Sequence, residues 1–252
     1  MNFLCPFHND KNASLSFKKK RFFCYGCNYN GYIKKKIEIN KFKLSFDKEI
    51  INSAKNNLYM KKNFWLKYLI YRNINMITSI KFSLGTLNFS FKKKIGKILI
   101  NRLIFPILND KKILEGIGIK TNSKKNKYLV FSKNKNTLNL YGIEQIKNFN
   151  FVVIVEGYFD LLTLKKNFFN NTISILGSNI DNFKINYLLK KFKKIYFCFD
   201  GDYAGYNACE KIKKNFKKFE KKIFCKTLPY QYDPDNYINK FGIDSFLNYL
   251  KL

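Results

Sequence analysis

Glu156, Asp160, Asp200, Asp202, Asp233 and Asp235 are the residues of this chain whose type and spacing best suit chemistry. They fall in three short groups, VEGYFD, DGD and DPD, and each group follows an apolar run. Grouped carboxylates are hard oxygen donors, the ligands that Mg²⁺ or Mn²⁺ prefers, and paired acids can also move protons. A second constellation lies at the N-terminus, where Cys5-Pro6-Phe7-His8 and Cys24-Tyr25-Gly26-Cys27 form two hooks separated by 15 residues. Three thiolates and one imidazole satisfy a tetrahedral Zn²⁺ with no open position, which describes a structural site. His8 is the single histidine of the protein and stands at the correct offset from a cysteine. Such a site contributes about 10–16 kcal/mol in small peptides, and a module this small has too little core to fold without it.

The acids need elements that bring them together. Phe151 to Val155 and Lys194 to Phe199 read as strands buried on both faces, Ile223 to Leu228 as a third and Thr172 to Leu176 as a fourth. Helical patterns lie between them: one opening near Phe159, one capped by Asp181, one after Asp202, with a closing amphipathic helix at Phe246, Leu247 and Leu250. This alternation predicts a parallel sheet covered by helices on both faces. Ligands collect at the carboxyl ends of such strands, so all six carboxylates are expected along one edge. Asp-Gly and Asp-Pro are also ordinary turn pairs; the competing reading makes DGD and DPD turns and Glu156 a solvated strand end, and three acid pairs after three strands argue against it.

Earlier in the chain, Ala13 to Phe17 is expected to pair with Arg21 to Tyr25 as a hairpin, and Lys34 to Lys43 reads as a charged linker. Asp47 suits the N-cap of a helix carrying Ile50, Ile51, Ala54 and Leu58; a second helix carries Phe64, Trp65, Tyr68 and Leu69 as core, and a third carries Ile77, Ile80 and Phe82 and stops at Gly85. Strand signals then run through Leu99 to Leu108, Ile113 to Lys120 and Tyr128 to Phe131. The expected class is α/β, α+β overall: a small zinc ribbon (1–35), a linker (36–45), a mixed α/β basic subdomain (46–148) and a parallel-sheet domain with a C-terminal helical segment (149–252).

Forty-eight basic residues against 17 acidic ones give a formal charge of +31, which suits a polyanionic partner such as nucleic acid. Only Arg21, Arg72 and Arg102 are arginines, and lysine, asparagine, isoleucine and phenylalanine crowd the whole chain. The charge therefore reads equally as selection and as AT-rich coding, and the scarce acids carry more information than the abundant bases. No apolar run approaches the roughly 20 residues of a membrane span, and nothing precedes Cys5 that resembles a signal peptide. A soluble, cytoplasmic protein is expected. Cys198, Cys209 and Cys225 sit in apolar contexts and read as core thiols rather than a disulfide framework.

Taken in order, these motifs resemble a known family. CPFHNDKNASLSF followed by FFCYGC resembles the zinc-binding module of bacterial DnaG-type primases; RLIFPI, KYL and LYG resemble segments of their basic subdomain; VEGYFD, LGS, FDGDYAG and DPD resemble their TOPRIM domain. The match runs from about residue 3 to 250. VEGYFD with DGD alone would equally fit a topoisomerase or a recombination protein, so the ordered set is what is specific. The resemblance implies zinc on Cys5, His8, Cys24 and Cys27. It also implies an acidic centre in which Glu156, Asp160, Asp200 and Asp202 are catalytic and Glu156, Asp200, Asp202, Asp233 and Asp235 hold Mg²⁺ or Mn²⁺. Arg72, Arg102, Lys120 and Lys127 would then contact template or nucleotide phosphates. Lys120 stands where the family usually has arginine, and Asn136 where it has the lysine before LYG; lysine supplies charge without the bidentate fork. The activity implied is synthesis of short RNA primers on single-stranded DNA from NTPs by two-metal nucleotidyl transfer, by a nucleoid-associated monomer. A replicative helicase is a possible partner, although the family's C-terminal helicase-binding domain is absent and only four residues precede Cys5. The alternatives are another TOPRIM enzyme of topoisomerase or nuclease type, and a catalytically silent single-stranded DNA binder.

Overall fold

The structure is a computed structural model that describes residues 2–3, 15–18, 21–26, 30–32, 48–59, 63–93, 96–120, 127–133, 137–177 and 181–252. It divides into two compact units, residues 1–44 with 90–100 and residues 45–89 with 101–252. In the first unit β1 (Asn2–Phe3), β2 (Leu15–Lys18), β3 (Arg21–Cys24) and β4 (Asn30–Tyr32) form an antiparallel sheet in sequence order. The expected hairpin is present, with Leu15 opposite Cys24 and Lys18 opposite Arg21. Cys24 ends β3; Cys5, His8 and Cys27, the Lys34 to Lys43 linker and Asp47 lie outside the described residues.

The second unit begins with α1 (Lys48–Leu58), α2 (Phe64–Tyr71) and α3 (Met76–Lys81). The Asn63 side chain accepts from the Trp65 N–H at 2.9 Å and the Asn75 side chain from the Thr78 N–H at 2.8 Å, so each of the two later helices starts at a capping amide. Ala54, Leu58, Trp65 and Leu69 are buried as their spacing predicts. Helix α3 departs from expectation: Ile77 and Ile80 are exposed, while Thr78 and Ser79 are buried. Six residues make fewer than two turns, too few for periodicity to choose a face. The face is set instead by the buried anchors Ile74 and Phe82 at either end and by a 2.6 Å hydrogen bond between the Tyr59 hydroxyl and Ser79.

A four-stranded sheet follows, ordered β5 (Gly85–Lys93), β6 (Gly96–Leu108), β7 (Leu114–Lys120) and β8 (Tyr128–Ser132), with β6–β7 and β7–β8 antiparallel. The strand signals of the sequence begin at Leu99, inside β6, and do not mark β5. The parallel sheet is ordered β10 (Thr172–Ser174), β9 (Phe151–Val155), β11 (Lys194–Phe199) and β12 (Ile223–Thr227), every pair parallel. Around it run α4 (Tyr158–Lys166), α5 (Asn182–Lys191), α6 (Tyr203–Asn215), α7 (Pro234–Phe241) and α8 (Ile243–Leu250). Alternation along β9 divides the core, since Val153 and Val155 cluster with Leu161, Ile238 and Phe246, whereas Val152 and Ile154 cluster with Ile185, Leu188 and Ile212. Both faces are therefore covered.

Within the second unit, the parallel sheet and the 101–132 part of the antiparallel sheet are joined through aromatic rings. Tyr158, at the start of α4, stacks on Phe105 of β6 with ring centres 4.3 Å apart, and Phe159 meets Tyr68 of α2 edge-on at 5.8 Å. Gly118 in β7 makes room, because a Cβ there would lie 1.9 Å from the Tyr158 hydroxyl. Cys198 and Cys209 are buried free thiols and Cys225 a partly buried one. Among the described residues no helix is long and apolar enough to cross a membrane.

Candidate active site at the strand ends

Parallel strands point their carboxyl ends the same way, so the loops after β9, β11 and β12 meet at one edge. The Asp200 N–H, just past β11, donates to Glu156 Oε1, just past β9, at 3.1 Å. The Glu156 carbonyl is held from the other side by the Ser174 hydroxyl at 2.9 Å and the Gly177 N–H at 3.0 Å. Gly201 brings in the third strand end: its N–H donates to the Tyr232 carbonyl at 2.8 Å, and its own carbonyl accepts from Gln231 at 2.9 Å. A Cβ at this position would lie 2.0 Å from the Pro229 carbonyl oxygen, so DGD needs its central glycine.

Three helices start at this edge, and acids begin each of them. Asp202 caps α6 by accepting from the Gly205 N–H at 2.8 Å, and Asp233 caps α7 by accepting from the Asn236 N–H at 2.7 Å. At α4 the Asp160 carboxylate reaches back to the Gly157 N–H at 2.8 Å. DGD and DPD are thus turns that cap helices, and their capping residues also bring negative charge to the positive ends of the helix dipoles.

The acids sense one another. Burial, followed by the charges of Asp202 and Asp160 and opposed by the Asp200 N–H, pushes Glu156 up to about 7. Burial, with Glu156, Asp233 and Asp202 nearby and Lys127 in opposition, pushes Asp200 up to about 8. Asp160 is 6 % exposed, and burial together with Asp200, Asp233 and Asp235 holds its carboxyl well above the usual range. Asp200 Oδ1 is buried without a hydrogen-bond partner.

Asp235 faces inward, 5 % exposed. Its Oδ1 accepts from the Thr163 hydroxyl at 2.5 Å and from the Asn239 side chain at 2.9 Å, its backbone N–H donates to Asp160 at 3.2 Å, and its Oδ2 is ion-paired with Arg72. The structure thus puts Arg72 against an acid of the centre. The guanidinium also lies 4.2 Å from the Phe159 ring centre and donates to the Tyr68 hydroxyl at 3.2 Å. Burial alone would lower its pKa, but the hydrogen bond and charge of Asp235, together with Tyr68, outweigh that and the guanidinium is held more firmly protonated than usual. Sequence reasoning had no signal for this pair, whose members are 163 residues apart. Lys120 packs over the Tyr128 and Tyr68 rings at 4.8 and 5.5 Å, and burial, then Arg72 and Lys127, lower its pKa. Lys127 is exposed at the head of β8, within electrostatic reach of Asp200, and Arg102 is half-buried on β6, where burial lowers its pKa. Arg72, Lys120 and Lys127 therefore border the acids as a group.

Among the described residues no three His, Cys, Asp or Glu side chains converge closely enough to enclose a metal ion. The geometry fits an ion that keeps much of its water: Mg²⁺ is commonly bound through one or two carboxylates, and Asp200 Oδ1 is an acceptor lacking a donor.

Comparison with known proteins accounts for both ends of the chain. Residues 1–64 match the CHC2 zinc finger family and residues 153–238 the Toprim-like family. The first match implies zinc, the second a divalent cation. The DNA primase of Buchnera aphidicola subsp. Acyrthosiphon pisum is 31 % identical over 96 % of this chain and 55 % of its own length, and that of Rickettsia prowazekii is 28 % identical over 96 % and 53 %. The chain thus spans about half the length of the curated relatives it matches. Among solved structures, the Aquifex aeolicus primase (zinc-binding and RNA polymerase domains) superposes with a TM-score of 0.69 at 24 % identity, covering 99 % of this chain and 78 % of that one. A DnaG primase catalytic domain bound to single-stranded DNA also gives 0.69, at 19 % identity over 81 % and 78 %. These likenesses show the shared fold. With a CHC2 zinc-finger segment followed by a Toprim-like segment, the chain is similar to bacterial DNA primases along 96 % of its length.

Proposed function

We propose that this chain is a DNA primase, which joins ribonucleotides into short primers on a single-stranded DNA template. The observation that carries the reading is the Glu156–Asp200 pair: two acids at adjacent strand ends, bonded through the Asp200 N–H, with one buried carboxylate oxygen lacking a donor. Glu156 and Asp200, with Asp202 and Asp233 at the same edge, would hold hydrated divalent cations, Mg²⁺ or Mn²⁺. Such cations, when bound, stabilise charge on the phosphate oxygens and on the leaving pyrophosphate. The chain's own part is to aim these groups. Glu156 would orient or deprotonate the attacking hydroxyl, Lys120 and Lys127 border the acids where phosphates of template or NTP would lie, and Arg102 on β6 would be a further phosphate contact. Arg72 shapes the same border through Asp235 and Phe159. Asp160 serves the site chiefly by fixing the start of α4 and the Asp235 backbone.

Zinc on Cys5, His8, Cys24 and Cys27 would make residues 1–35 a template-binding module, ahead of a linker (36–45), a basic subdomain (46–148) and the Toprim domain (149–252). The protein would work as a cytoplasmic monomer at the nucleoid, with a helicase as partner. The test is a DNA-templated assay with labelled NTPs. Template-dependent RNA products that vanish in Glu156→Gln support the proposal; DNA cleavage or relaxation would make the chain a different Toprim enzyme, and DNA binding without either reaction a silent binder.

A further inference from the structure

Two titratable groups, buried Lys165 and half-buried Glu144, take no part in the chemistry above, and they lie together. Lys165 on α4 is 5 % exposed and donates to the Asn170 carbonyl at 2.6 Å. Burial, opposed by Glu144 and reinforced by Lys81, brings its pKa down to about 7. Glu144 sits in the 3-10 turn Ile143–Gln145; its Oε1 accepts from the Gln145 side chain at 3.1 Å, while its Oε2 is buried without a partner.

A cavity of about 690 Å³ adjoins this pair, lined by Glu144 and Asn170 and by Lys81, Lys112 and Lys147. Lys81 ends α3, Lys112 is in the turn between β6 and β7, and Lys147 and Asn170 lie in the segments leading into β9 and β10. The cavity is therefore at the amino ends of the parallel strands, the edge opposite the carboxylates. Its volume lies in the range of small-molecule sites, about 300–1,000 Å³. Lysine is so common in this chain that three of them alone would say little. The buried Glu144 oxygen says more, because an acceptor removed from water with no donor is unfavourable unless something supplies one.

We propose that this cavity is a second binding site, separate from the acidic centre, for a nucleoside di- or triphosphate. The ammonium groups of Lys81, Lys112 and Lys147 take the phosphates, and Glu144, a wall residue, turns its partnerless Oε2 outward to accept from an N–H or O–H of the base or ribose. The walls come from the helical and antiparallel-sheet half of the unit on one side and from the loops before β9 and β10 on the other.

The test is equilibrium binding of labelled ATP to the zinc-loaded full chain in buffer without added Mg²⁺ or Mn²⁺, which suppresses cation-dependent binding at the acids and does not depend on primer synthesis. Lys112→Glu with Lys147→Glu should weaken binding about tenfold or more, a difference of some 1.4 kcal/mol. Both side chains are exposed, and an unchanged melting curve would show that the fold is intact. Lys217→Glu with Lys218→Glu removes the same charge elsewhere and should leave binding near the parental level, as should Asp200→Asn. Inorganic pyrophosphate should compete and adenosine should compete poorly. Photolabelling with 8-azido-ATP should mark peptides containing 108–112 or 143–148. Equal losses in the two lysine pairs, or labelling confined to peptides 120–133 and 200–235, would overturn the proposal.

Discussion

Asp235→Asn separates an ion pair from a metal ligand. The side chain is 5 % exposed; the amide oxygen of asparagine can still accept from Thr163 and Asn239, but the charge opposite Arg72 is gone. Stranding one partner of a fully buried pair costs about 3–5 kcal/mol. The Arg72 side chain retains 29 % exposure and lies over the Phe159 ring, so the expected loss is discounted to about 2–3 kcal/mol. At about 2–4 °C per kcal/mol for a chain of this size, the melting temperature should fall by about 4–12 °C. The assay is thermal unfolding followed by far-UV circular dichroism in EDTA. Adding Arg72→Met removes the unpaired guanidinium and should recover roughly half of the loss, a coupling that a double-mutant cycle reads directly. If Asp235→Asn melts within about 1 °C of the parent in EDTA, while stabilisation by Mn²⁺ disappears, the ion-pair reasoning is wrong and Asp235 acts through a cation.

Three further outcomes are expected. Asp202→Ala should weaken cation binding so that excess Mn²⁺ restores part of primer synthesis, whereas Glu156→Gln removes charge at the reacting atoms and should resist rescue with DNA binding retained; parental synthesis in Glu156→Gln would misplace the catalytic centre. Glu156 and Asp200 keep their protons to about 7 and 8 in the folded chain, above the unfolded values near 4. Their contribution to stability is therefore complete below about pH 4 and is lost as pH rises through 7 and 8; in EDTA the melting temperature should fall across that window, with millimolar Mg²⁺ restoring it at pH 8 far more than at pH 5, and a flat profile would contradict the burial argument. Cys24→Ser should release zinc, measured by elemental analysis, while the parallel-sheet unit keeps its secondary structure; fresh parental protein without zinc would refute the assignment.

Much of this protein was legible in its sequence because the relevant signals are local. β9 and β11 begin and end where their apolar runs do, since a strand covered on both faces tolerates no polar interruption. Asp181 announces α5 for a similar reason: a capping carboxylate acts on an N–H three residues away. The convergence of Glu156, Asp200 and Asp233 followed from one inference, that alternating strands and helices make a parallel sheet with all carboxyl ends on one side. Tertiary structure decided what distance along the chain conceals. It turned Asp235 inward onto Arg72, buried Thr78 and Ser79 in α3 in place of Ile77 and Ile80, and fitted Tyr158 against Gly118. It also brought Lys165 to Glu144 beneath a cavity whose walls come from four separate segments. A pattern of residue types states which side chains prefer to be buried or charged; which partner each one meets depends on packing between elements far apart in sequence, and that is settled only when the whole unit closes.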